Sequence, residues 1–505
     1  MLAGSVLVSR VLGYARDMVL ANQVGAGAEA DAYYAAFQIP DIMNYLLAGG
    51  ALSIAFLPLF TTVRDGRSEA EADHLFSTVL GTVGLLTALA TCVLWWYAEG
   101  LVALQFPLFA PETQALTVHL TRIVLPAQLF FVTGGILGAV LMAEGRFGAQ
   151  ALAPLAYNAC IIAGGLLTGS AEGFAWGVLA GAGIGPFLIR FVDLSRTRRV
   201  RWRIAPTDRD FLTYLWLALP LMLGLSLVTV DEWYDRWFGG TLGVGVVAVL
   251  SFARKLMQAP VAIIGQAIAT AALPTLAHLF SSGRVRDLER TLLRTLQGAG
   301  ALSVLAAAGC WAFAVPLVEL VYHHGRFTAE AADRTAAILA VLAFGVPAWI
   351  VQQVAVRAFY ARGDTWRPMW LGTGIALLAI PLYIVMGERF GPEGLAAAGA
   401  LAMTGSALLT LAWARHLHGA PSLSALFASL SRMVLVALAA AAAARLAMGW
   451  SGAAGRIAAV ADLTTGGLVF GTICIAGIRW VGDAPVRELA AGIFRRVLGR
   501  IARRR

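Results

Sequence analysis

The sequence predicts an all-α polytopic membrane protein with about fourteen transmembrane helices, counting one span for every ~20 mostly apolar residues. Three observations carry that prediction. Hydrophobic residues make up 59% of the chain and charged residues 13%, about half the ~25% charged share of a soluble protein. The mean hydropathy is +0.75. Apolar stretches long enough to span recur from the first residues to about position 480, separated by short polar or Gly/Pro-containing connections.

The opening MLAGSVLVSRVLGYARD has no basic leader and no small-residue cleavage site. Its arginines lie inside the apolar pattern, so it reads as the first span. Arginines then collect in alternate connections: Arg64 and Arg67, Arg146, and a run containing Arg190, Arg196, Arg198, Arg199, Arg201, Arg203 and Arg209. Arg284, Arg286 and Arg290, then Arg362 and Arg367, then Arg415 and the tail continue the series. The connections around 23–30, 98–116 and 168–174 contain no Lys or Arg. By the positive-inside rule both termini are expected in the cytoplasm. Topology thus accounts for the excess of nine basic over acidic residues, and no nucleic-acid partner is expected. Cys92, Cys160, Cys310 and Cys474 are widely separated inside apolar segments, so they read as packing residues rather than a disulfide or metal framework.

An internal repeat predicts two lobes. ALSIAFLPLFTTVRDGRSEAEADHLFSTVLGT at 51–82 parallels AIATAALPTLAHLFSSGRVRDLERTLLRTLQGA at 267–299, aligning Pro58 with Pro274 and Gly66 with Gly283. The Pro126 segment ending at Gly145 likewise parallels the Pro347 segment ending at Gly363. The expected organisation is a six-helix lobe over 1–199, a second in parallel repeat over 200–420, two additional helices over 421–482 and a basic amphipathic tail over 483–505. In the tail Val486, Ile493, Val497 and Ile501 fall on one helical stripe with arginines elsewhere, the pattern of a helix lying on an anionic leaflet.

Charges inside spans are the informative residues, because a charge at the bilayer centre costs about 2.5–3.5 kcal/mol on insertion scales. The first span carries Arg10, Arg16 and Asp17, and the second Asp31. The seventh carries Asp231, Glu232, Asp235 and Arg236, and the eighth Arg254 and Lys255, the only lysine in the chain. Ser9, Gly13 and Arg16 share one stripe of the first span, and Arg10 and Asp17 another. Asp231 and Asp235 lie one turn apart, and Glu232 precedes Arg236 by four residues, the favourable order for an ion pair. Lys255 reads either as a substrate cation or, with Arg254, as a structural partner of the seventh-span acids. No HExxH, GxSxG or Walker sequence occurs and the histidines are scattered, so neither an enzyme nor a cofactor is expected.

Several strings in order resemble the MviN/MurJ family of lipid II flippases, within the MATE-like, polysaccharide-exporter superfamily. They are SRVLGYARD at 9–17, the second-span segment from Ala30 to Pro58, GRFGAQALAPLAYN at 145–158, LMQAP at 256–260, ALPTLA at 272–277, HGRFTAE at 324–330 and AFYARGDTWRPM at 358–369. The resemblance runs along nearly the whole chain. It implies two six-helix lobes around a central cavity, two further helices forming a groove for a polyprenyl tail, and residence in the bacterial cytoplasmic membrane. The implied cargo is lipid II, an undecaprenyl-diphosphate-linked muropeptide, with membrane lipids and cell-wall synthesis proteins as further partners. The family's cationic cavity residues fall on Arg10 and Arg16, its acidic one on Asp31, and its eighth-span arginine on Lys255. The candidate substrate-binding set is therefore Ser9, Arg10, Arg16, Asp31, Asn44, Asn158, Arg254 and Lys255, since buried cations bind phosphate oxygens through charge-assisted hydrogen bonds.

This chain departs from the family in places. Asn44 stands where an arginine is usual, Gly49 where a glutamate is usual, and Lys255 loses a bidentate fork while keeping the charge. Some family members bind sodium among the seventh, eleventh and twelfth spans. Asp231 and Asp235 are the candidate ion-coupling residues, yet the eleventh span, MWLGTGIALLAIPLYIVM, has no carboxylate or amide. The alternatives to a lipid II flippase are a flippase for another polyprenyl-diphosphate glycan, a MATE-like exporter, or a transport-inactive scaffold. The retained intramembrane charges argue against the scaffold.

Overall fold

In the computed structural model residues 2–48, 55–223, 227–418, 421–448 and 455–492 are described. Gly49, residues 50–54 of the second-span string, and Ile493, Val497 and Ile501 of the tail stripe lie outside them. Helices are the only regular secondary structure among the described residues, with no strand. The helices of the first half are α1 (Leu2–Val24), α2 (Ala28–Ala35), α3 (Gln38–Ala48), α4 (Leu57–Gly66), α5 (Glu69–Trp96), α6 (Ala98–Gln105), α7 (Pro111–Val124), α8 (Ala127–Ala143), α9 (Gly148–Thr168), α10 (Ala171–Ala182), α11 (Arg190–Ser195) and α12 (Arg209–Leu223). Those of the second are α13 (Leu227–Gly239), α14 (Val246–Pro260), α15 (Ala267–Ser281), α16 (Val285–Ala312), α17 (Ala314–Val321), α18 (Ala329–Ala343), α19 (Val346–Ala355), α20 (Arg357–Tyr360), α21 (Trp366–His418), α22 (Leu423–Ala447) and α23 (Gly455–Trp480).

The burial pattern is that of a lipid-embedded chain. On α5 the residues Ser77, Thr78, Thr82, Thr87 and Thr91 are buried, while Leu85, Leu86, Leu89 and Val93 are exposed. In water that distribution would be inverted. In lipid, tails are as apolar as leucine and small polar residues make the helix contacts. Thr87 satisfies its hydroxyl on the Val83 carbonyl, 2.7 Å away.

Among the described residues nine helical stretches are long and apolar enough to cross a membrane, or ten when the pair bent by 42° at α18 and α19 counts as one span. These do not by themselves make up fourteen, for identifiable reasons. With Arg10, Arg16 and Asp17, α1 is too charged to be counted. The 53 residues of α21 run to about 80 Å at 1.5 Å per residue, far beyond a ~30 Å hydrocarbon core. The chain breaks there at Gly391, whose φ of 61° and ψ of −143° are not helical, so this stretch is long enough for two crossings.

The chain divides into two compact units. The first comprises Met1–Gly224, Gly243–Ala248 and His324–Thr328, and the second Leu225–Leu242, Val249–His323 and Ala329–Arg505. In the first unit α1 packs on α9, α9 on α10, α5 on α8, and α2 on α7. Phe56, Phe60, Phe76, Leu80, Ile136 and Tyr214 form its main core. In the second α13 packs on α21, α16 on α19 and α22, and α22 on α23. There Ala301, Leu305, Met433, Val436, Cys474 and the tail residue Val486 share a core. Cys474 is thus a packing residue, whereas Cys92 lies exposed. Each unit contains a proline-bearing helix followed by a 28-residue helix: α4, ending at Gly66, and α5 in one, α15 and α16, joined through Gly283, in the other. These are the elements on which the two parallel strings of the sequence fall.

The arginine-rich linker after α11 is docked on the first unit. The Arg203 amide donates to the Ser77 carbonyl at 3.0 Å and the Ala205 amide to the Thr82 hydroxyl at 3.2 Å. Arg198 pairs with Asp73 and Glu144. His74 Nε2 lies 2.9 Å from Asp208 Oδ2. Burial acts to raise the Asp208 carboxyl, but the bonds from His74 and the Phe211 and Asp210 amides outweigh it and hold the group below the usual carboxylate range.

Candidate functional site

The first-unit candidates centre on α1, which packs on α9. Arg16 reaches Asp17 Oδ1 through Nη2 at 2.8 Å and Nε at 3.0 Å. Its Nη1 lies 3.5 Å from Asn158 Oδ1. Asn158 is held in turn by donation from Nδ2 to the Pro154 carbonyl at 2.9 Å. Arg16 and Asn158, two of the sequence candidates, are therefore brought together. Asp17 is 4% exposed, and Ser9 and Arg10 are half-buried further along the helix. Within α1 two guanidinium groups stand against one carboxylate.

Asn44 does not join that group: its Nδ2 donates to Gln128 Oε1 at 2.7 Å. Asp31 is also engaged elsewhere. It is 1% exposed, and its carboxylate accepts from the Gly245 amide and, at 2.8 Å, from the Ala248 amide. These amides open α14, so the carboxylate occupies a helix N-terminus, where unpaired N–H groups and the helix dipole favour an anion. Glu29, which the sequence did not single out, does the same for α10 by accepting from the Ala171 amide at 2.8 Å. It also lies 3.4 Å from Arg326. The surrounding turns need glycine. Gly25 and Gly245 have φ of 81° and 82°, and a Cβ on either would meet the Arg326 or Ala26 carbonyl.

The second unit contains a different arrangement. Arg254, 3% exposed, is bonded to both Asp231 and Asp235, which are 0% and 3% exposed. The one-turn spacing of the two acids lets a single guanidinium fork span them. The Tyr383 hydroxyl donates to Asp231 from α21, and the Arg254 guanidinium sits 5.8 Å from the centre of the Trp349 ring. Tyr383 is the residue that sequence reasoning missed. Its one signal was the single tyrosine of a span whose other hydroxyl is that of Thr373. Glu232 and Arg236 form the expected i,i+4 pair at 2.9 Å. Lys255 stands apart from the buried triad, with Nζ 3.8 Å from Glu232 and 28% of its side chain exposed.

Comparison with known proteins follows the same lines. A family model described as lipid II flippase MurJ matches residues 20–458. The chain is 26% identical over 421 residues to the probable lipid II flippase MurJ of Bdellovibrio bacteriovorus, covering 81% of this chain and 80% of that protein. It matches a solved lipid II flippase MurJ in an inward closed conformation with a TM-score of 0.80 at 21% identity, over 95% of this chain and 98% of that one. An inward-facing MATE-family multidrug resistance transporter of the MOP superfamily matches with a TM-score of 0.68 at 16% identity, over 81% of this chain and 94% of that one. At such identities the solved structures speak to the fold. The family model spans most of the chain, and this multi-pass membrane protein belongs to the lipid II flippase MurJ family.

Proposed function

We infer that this chain translocates lipid II from the inner to the outer leaflet of the bacterial cytoplasmic membrane by alternating access, with both termini in the cytoplasm. The observation that carries the reading, beside family membership, is the charge of α1. Arg10 and Arg16 sit on one apolar helix with Asp17 as its sole acid, and two guanidinium groups on one span are a donor set that suits a diphosphate. Arg16 is positioned rather than loose, held by Asp17 and Asn158, and 22% of its side chain stays accessible. Positioned guanidinium groups suit phosphate oxygens, which they bind in pairs. A fold shared with MATE transporters supports the alternating-access part, and the absence of a Walker sequence directs the energy source to gradients or membrane potential. Lys255, outside the buried triad, remains the second-unit candidate for a substrate cation, whereas Arg254 is assigned to holding Asp231 and Asp235.

The test is complementation of a strain depleted of its own lipid II flippase. The wild-type chain should restore growth, and Arg16→Ala should fail to do so at normal membrane abundance. A wild-type chain that cannot restore growth, or a fully active Arg16→Ala protein, overturns the reading.

A further inference from the structure

Within the second unit a cavity of about 250 Å³ is lined by Glu232, Arg254, Gln258, Gln266, Trp349 and Gln353, with apolar side chains completing the wall. Its chemistry differs from that of α1. Its guanidinium, Arg254, is already committed to two carboxylates, and Glu232 adds an acid, so the lining has no cation in excess and does not suit a diphosphate. What it offers is amides. Gln258 and Gln353 are half-buried, and neither side chain forms a hydrogen bond among the described residues. Their polar atoms keep access to the cavity, so a bound molecule can reach them without first breaking a bond within the protein. Two of them on one cavity wall point to a ligand that completes them.

The backbone is shaped for this wall. Directly after Pro260 the helix widens into a π-helical turn over Val261–Gln266, a feature that recurs at functional sites. Within that turn Gly265 leaves space for the Gln353 amide: a Cβ there would lie 3.2 Å from both its nitrogen and its oxygen. A side chain at this position would make the Gln353 amide shift by a few tenths of an ångström.

We propose that Gln258 and Gln353 form a headgroup subsite that recognises a secondary amide of the cargo. A glutamine side chain offers both a carbonyl acceptor and an N–H donor, which is the complement of an amide's own N–H and carbonyl, while Glu232 accepts from a neighbouring hydroxyl or N–H. This rests on the flippase reading and adds which part of the lipid-linked headgroup the second unit reads. The amide has two sources in such a cargo, an N-acylated sugar or a peptide stem.

The experiment measures binding of three polyprenyl-diphosphate lipids to the purified full-length protein. One has a plain hexose, one an N-acetylated sugar without peptide, and one the complete sugar-peptide headgroup. The wild type should prefer the amide-bearing lipids over the hexose lipid. Gln258→Leu/Gln353→Leu should reduce that preference by about 5- to 100-fold, the range for two neutral hydrogen bonds. Loss of preference for the peptide-free lipid assigns the N-acyl sugar, and loss confined to the complete headgroup assigns the peptide. If the double variant is poorly folded, Gln353→Asn, which keeps the amide but withdraws it by one methylene, should lower the preference on its own. An unchanged preference in folded variants overturns the subsite while leaving the flippase reading intact. A wild type that binds none of the three lipids overturns both.

Discussion

Arg254 places its Nε 2.7 Å from Oδ2 of Asp235, and each of these side chains is only 4% exposed. Asp231 shares the same guanidinium, so this arginine offsets two acids that would otherwise be buried side by side. The adjacent Lys255 is less enclosed: its Nζ lies 3.8 Å from Glu232, with 28% and 34% of the two side chains exposed.

The two neighbouring cations should therefore respond differently to neutralisation. Breaking a buried pair by removing one partner costs about 3–5 kcal/mol, whereas a partly exposed pair lies closer to the ~0–1 kcal/mol of surface pairs. Arg254→Gln should sharply reduce the folded protein recovered from membranes, and Asp231→Asn/Asp235→Asn in that background should restore most of it. Lys255→Gln should accumulate normally. Wild-type recovery of Arg254→Gln would show that the triad does not anchor α13.

A second prediction concerns Asp31, whose carboxylate sits on the amides that open α14. Replacing a helix cap by alanine costs about 0.5–2 kcal/mol, while asparagine is nearly as good a cap as aspartate. Asp31→Ala should lower the unfolding temperature in detergent, and Asp31→Asn should lower it less. If Asp31→Asn unfolds like the wild type yet fails complementation as completely as alanine, the negative charge has a role in transport beyond the cap.

Gly81 supplies a third. A Cβ at this position of α5 would run into the backbone of Arg203, so Gly81→Val should lift the linker off the first unit. Limited trypsin digestion should then cut at Arg199 or Arg201 at protein concentrations where the wild type resists. Equal resistance would mean that the linker accommodates the side chain without undocking.

What was legible in the sequence was local. Apolar stretches gave the helices, a proline-to-glycine pattern gave the repeat, and a four-residue offset paired Glu232 with Arg236. What was not legible lies far apart along the chain. Tyr383 and Asp231 are 152 residues apart, and Asp31 and Gly245 are 214 apart; no spacing rule reaches across such intervals. Arg16 illustrates a subtler limit. Helical stripes place Asp17 with Arg10, but the long arginine side chain curls to its immediate neighbour instead. The linker arginines read simply as topology signals, whereas Arg198 is bonded to Asp73 and Glu144 from two different parts of the first unit. Asp31, expected at a substrate, spends its carboxylate on backbone amides, a partner that composition never reveals.

The last prediction is that transport by this chain is independent of sodium. A sodium ion among α13 and α21 would need oxygens directed at it, as hard cations do. Asp231 has one oxygen on Arg254 and the other on the Tyr383 hydroxyl, and Asp235 gives one to Arg254 as well. The oxygen left over, Asp235 Oδ1, accepts no hydrogen bond, but a metal ion there would face the guanidinium at close range. Two like charges 4 Å apart repel by about 4 kcal/mol at an effective dielectric constant of 20, so the built-in cation excludes the mobile one. Lipid II flipping in proteoliposomes should proceed at the same rate in sodium as in potassium at equal ionic strength, and sodium should not raise the unfolding temperature of the wild type. In the folded fraction that Arg254→Ala retains, the resident cation is gone and two acids and a hydroxyl surround the gap, so sodium should stabilise that variant more than potassium does. A wild-type rate that falls when sodium is withdrawn would place the coupling ion elsewhere in the protein and end the assignment of this role to Arg254.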